Sequence, residues 1–117
     1  MIQSKTKSSA YIDVKIIFTS KGELLEEQVD TLSQKLEQWL HAGAFHRVDE
    51  IFQLLKDEFF DDSMRQLDVP LTLLMVVHGA ENPKTLPHRE EFVEKVWQKL
   101  AEEEGETLAY FHLGNLL

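Results

Sequence analysis

The sequence contains no cysteine. Disulfides, a thiolate nucleophile and cysteine-based zinc or iron–sulfur sites are therefore excluded. Its longest apolar run, Leu73 to Val77, has five residues. A membrane-spanning helix needs roughly 18 or more. The first seven residues, Met-Ile-Gln-Ser-Lys-Thr-Lys, lack the apolar stretch of a secretory signal, so a bacterial-type cytoplasmic location is expected. Glycine and proline are scarce, at five and three residues. Neither G-x-G-x-x-G, G-x-x-x-x-G-K-S/T nor G-x-S-x-G occurs, which removes the common phosphate cradles and the nucleophile elbow. Basic residues are few as well, 12 Lys and Arg against 21 Asp and Glu, for a net charge of −9. Phosphate backbones would be repelled, so direct nucleic-acid binding is not expected.

What is present suits one globular domain. The chain has 117 residues, of which 43% are hydrophobic and 28% charged. That length can bury roughly two-thirds of its unfolded surface without staples. Residues 1–10 are rich in Ser, Lys and Thr and read as a flexible arm ahead of a single domain over 11–117.

The expected fold is mainly α, a bundle of three to four helices with an antiparallel helical hairpin. The clearest helix covers about 23–42. Leu25, Val29, Leu32, Leu36, Trp39 and Gly43 recur at alternating spacings of four and three, and Leu24 and Leu40 widen the stripe. Ser20 and Glu23 match a capping box, and Gly43 suits the left-handed position after a helix. A second helix, 46–60, carries Val48, Ile51, Phe52, Leu55 and Phe59 on one face. So short a connection folds the two into a hairpin. Asp61 and Asp62 then fall at a helix C-terminus, where the dipole disfavours them. Residues 70–78 read as a short central helix, apolar all round, with a buried strand as the alternative. Residues 79–87 form a loop, and Pro87 opens a last helix running to about residue 104.

Residues 11–18 alternate, with Ile12, Val14, Ile16 and Phe18 apolar. That period of two predicts an N-terminal β-strand, which would make the fold α+β in part. A lone strand cannot satisfy its backbone. It would pair internally or with a second copy, giving a homodimer through Ile12–Phe18.

Catalytic constellations are weak. His41 and His46 flank the first hairpin, and His78 precedes Glu81, but H-E-x-x-H is missing and no serine sits in a nucleophile setting. No catalytic residue, metal or cofactor is expected. A small His-dependent enzyme or metal protein is the minor alternative.

The charge pattern is more informative. Residues 1–21 carry a net +3, whereas residues 22–44 and 45–68 each carry −4. An acidic hairpin therefore follows a basic leader. The expected function is a non-catalytic protein-binding module, an acidic inhibitor, immunity-type or regulatory protein. Its basic partner, a toxin or a nucleic-acid-binding protein, would dock on Glu26, Asp30, Glu37, Asp49, Glu50, Asp57, Glu58, Asp61 and Asp62. An assembly subunit forming homo-oligomers is the second reading. Size and acidity resemble those of bacterial immunity proteins and phage inhibitors, a profile that no sequence motif accompanies.

Overall fold

The computed structural model describes residues 8–78 and 86–114. Seven helices account for all the regular structure among them: α1 (Ser9–Thr19), α2 (Gly22–His41), α3 (Phe45–Asp57), α4 (Phe60–Arg65), α5 (Asp68–Val77), α6 (Pro87–Glu104) and α7 (Glu106–Leu113). Residues 1–7, most of the expected arm, and most of the 79–87 loop lie outside the described residues.

The expected strand is a helix. Alternation fails at Ile17, an apolar residue where a half-buried strand needs a polar one. A competing pattern, Ala10, Val14 and Ile17, runs along one helical face, and all three are buried. Ser8 settles the start, because its Oγ accepts the Tyr11 N–H at 3.1 Å. That is the N-cap geometry, worth about 1 kcal/mol. A helix also closes its own backbone bonds, so no partner strand is needed.

α2 follows its expected bounds within a residue. Its expected capping box does not form: Ser20 Oγ instead donates to the Ile16 carbonyl at 2.8 Å, closing α1. Gly43 behaves as its position implies. It has φ +76°, its N–H bonds the Leu40 carbonyl, and the Ala44 N–H bonds the Trp39 carbonyl. This pair of bonds is a Schellman motif, which terminates α2.

The helix expected over 46–60 breaks at Glu58 and Phe59, and a new short helix starts at Phe60. The break reverses the electrostatic reading of Asp61 and Asp62. They stand in the first turn of α4, at the positive end of its dipole. α5 is helical as expected but not buried all round: Val69, Leu73, Leu74 and Val77 face inward while Met75 is 56% exposed. The tail after the Glu102–Glu106 acids is a further helix, α7, beginning after Gly105 at φ +95°.

The central helix is α3 rather than α5. It packs against α1, α2, α4 and α6, and its Val48, Ile51, Phe52 and Leu55 are fully buried. Phe52 meets Phe92 of α6 with ring centroids 6.3 Å apart. Tyr11 and Phe18 of α1 close over Phe59, at 5.3 and 5.8 Å. α2 packs on α5 and α1. α7 makes its main contact with α6, through buried Ala109 and Leu113 and an edge-on Trp97–Tyr110 pair.

Candidate functional site

The nine acidic residues expected to form one docking face do not share one role. Asp49 is the clearest departure. It is buried, and its carboxylate accepts the backbone N–H of His88 at 3.0 Å and of Arg89 at 3.1 Å. These are two of the orphan donors at the start of α6. Leu86, the residue at the N-cap position, has no side-chain oxygen to offer. Asp49 therefore caps α6 from α3, across 39 residues of sequence, and is not available to a partner.

Two of the acids of α3 and α4, Asp57 and Asp62, are paired with local cations. Lys56 Nζ lies 3.5 Å from Asp57 and 3.0 Å from Glu91 of α6. Asp62 pairs with Arg65. A cleft of about 440 Å³ at this junction is lined by Asp57, Glu58, Asp61 and Asp62 together with Lys56, Arg65 and Lys95. Lys95 fills part of it. Its ammonium stands 4.3 Å from the centre of the Phe60 ring and donates to the Lys56 carbonyl at 3.1 Å. Four acids against three bases leave a weak local field. The Lys56 hydrogen bond and charge hold Glu91 below its ordinary value of 4.5. The same contact raises Lys56, so this pair stays charged at neutral pH. Burial lowers the Arg89 guanidinium, yet a guanidinium starts so far above neutrality that the group also remains cationic.

The outer face of α2 is different. At about 100° per residue, Glu23, Glu27 and Asp30 fall opposite the buried Val29–Leu32–Leu36 stripe, and Glu26 and Glu37 on the adjoining flank. All five are exposed. None forms an ion pair among the described residues. The only cation of α2, Lys35, is on the side toward α1, bonded to Asp13 at 3.1 Å. From Glu23 to Glu37 the ridge runs about 21 Å. Such carboxylates project their field into solvent over roughly 8–10 Å at physiological salt. Of the expected site residues, Glu26, Asp30 and Glu37 belong to this ridge. Glu23 and Glu27 complete it and were missed, although their spacing in the sequence places them on the same face. Glu50 and Glu58 lie on α3 and at its end, apart from the ridge.

The histidines do not assemble. His41, His46 and His78 are exposed. Among the described residues no group of three or more His, Asp or Glu side chains is placed to hold a metal ion. Glu81, the expected partner of His78, is outside the described residues. Among those residues no helix is long and apolar enough to cross a membrane. Comparison with family models, curated proteins and solved structures finds no match.

Proposed function

We propose that this protein is a non-catalytic protein-binding module whose α2 ridge docks on a basic protein surface. One observation carries the reading: five exposed carboxylates within about 100° of arc on one side of α2, with no cation among them. Folding gains little from such an arrangement, because like charges spaced three and four residues apart on a helix repel by a few tenths of a kcal/mol per pair. A cationic partner removes that repulsion and gains in orientation and association rate. An inhibitory, immunity-type or regulatory role fits a module of this kind. The partner-binding set supported by the geometry is Glu23, Glu26, Glu27, Asp30 and Glu37. Asp49 leaves the set, and Asp57 and Asp62 are secondary because cations already accompany them.

The test is affinity capture on immobilised protein, comparing the native chain with Asp30→Lys/Glu37→Lys. Native protein is expected to retain basic proteins at about 0.05 M salt and to release them near 0.5 M, where the screening length shrinks to a few ångströms. The double variant should lose at least tenfold in retention. Equal retention by both proteins would remove the ridge from the function.

A further inference from the structure

The surface formed by α1 and α2 is complementary to itself. Ile12 and Ile16 are exposed on α1, opposite its buried Ala10–Val14–Ile17 stripe. Leu24, expected to widen the apolar stripe, is instead exposed near the start of α2. The Asp13–Lys35 pair marks the seam between the two helices. On the helical wheel, Ile16 lies beside Asp13 and Leu24 beside Lys35, so both apolar side chains flank the seam. Moving outward from it, the α1 side ends in Lys15, which is exposed and in no ion pair among the described residues. The α2 side ends in the acidic ridge. Lys21, also exposed and in no such pair, occupies the turn between the helices.

We infer that this surface binds a second copy of the chain. The inference rests on the ridge being a docking face for cations, and it names the first cationic surface available to it. A two-fold axis along the α1–α2 seam lays α1 of one copy on the first turns of α2 of the other. Lys15 and Glu26–Glu27 are each five or six residues from the connecting turn, so they stand at the same level, and Lys21 stands near Glu23. The operation repeats every contact twice, as an isologous interface requires. Exposed Ile12, Ile16 and Leu24 meet around the axis. α1 is about 16 Å long. Two helices side by side are about 20 Å wide. The contact is thus at the small end of specific interfaces. Association is weak and concentration-dependent, and Glu37, beyond the reach of α1, stays open.

Sedimentation velocity on the full chain across a concentration series tests this. The native protein is expected to dimerise at low salt and to dissociate in about 0.5 M salt. Lys15→Glu and Glu26→Lys/Glu27→Lys should each weaken the dimer at least tenfold. A mixture of the two variants should dimerise again, because each then offers the charge the other lacks. All three positions are exposed, and circular dichroism checks that both variants fold. A native protein that stays monomeric at every concentration and salt overturns the inference, as does failure of the mixture to associate. If the monomeric protein still loses its basic partners on Asp30→Lys/Glu37→Lys, the docking ridge stands and only its self-association falls. A dimer that ignores Glu26→Lys/Glu27→Lys overturns the interface.

Discussion

Replacing Phe52 with alanine is expected to cost about 3–5 kcal/mol. Phe52 is on α3, wholly buried, and packs on Phe92 of α6 while its helix touches α1, α2 and α4. The loss combines the transfer energy of the ring with a cavity that four surrounding helices cannot close without giving up their own contacts. A domain of this size has about 5–15 kcal/mol in all. The thermal midpoint should therefore fall by about 12–20 °C. Phe52→Leu, which leaves a smaller void, should lose less than half as much. Phe111→Ala supplies the control. That ring is 78% exposed, and its removal should change stability by no more than about 0.5 kcal/mol. Calorimetry on the three variants settles the matter. Equal effects at 52 and 111 would mean that α3 is not the centre of the core.

Asp49→Ala comes next, at about 2 kcal/mol and roughly 8 °C. The substitution leaves the His88 and Arg89 N–H groups without their acceptor, and Arg89 is buried. It also removes a negative charge from the positive end of α6. Asp49→Asn keeps one acceptor oxygen and should recover about half. Amide exchange separates the cap from a general packing defect: His88 and Arg89 should exchange faster in Asp49→Ala by more than the global loss explains. A change below about 0.5 kcal/mol would return Asp49 to the surface set.

Asp49 also shows where reading the sequence ends. Its neighbours, Val48, Glu50 and Ile51, place it on an amphipathic helix, and a carboxylate there reads as one more solvated charge. What it does depends on Leu86 lacking a side-chain oxygen and on α6 starting beside α3, a relation 39 residues long. The acids at 57 and 62 differ: the cations beside them, Lys56 and Arg65, stand one and three residues away in the sequence, and only the placement of the side chains shows that they pair. By contrast, α2 was legible nearly to the residue. A long stripe at one period, ended by Gly43, leaves few alternatives. α1 was not, because Ile12, Val14, Ile16 and Phe18 follow a period of two while Ala10, Val14 and Ile17 follow one of 3.6. The decision fell to Ser8 and to Ile17. The ridge was half legible: its residues and spacing are in the sequence, whereas the absence of an accompanying cation appears only once Lys35 is seen turned toward Asp13.

The attachment of α7 has a consequence for how the protein opens. Gly105 ends one helix and begins the next, and α7 is held mainly by α6 through Ala109, Leu113 and the Trp97–Tyr110 edge contact. α6 has α3 on its other side, so it does not depend on α7 in return. The two should form separate cooperative units, with α7 detaching at a fraction of the global unfolding energy. Native-state hydrogen exchange would then show two tiers, the amides of Ala109 to Leu113 turning over while those of Ile51 to Leu55 remain protected. Each such opening would bare Trp97 and the inner face of α7, so α7 would act as a latch over Trp97 that releases while the rest of the bundle stays folded.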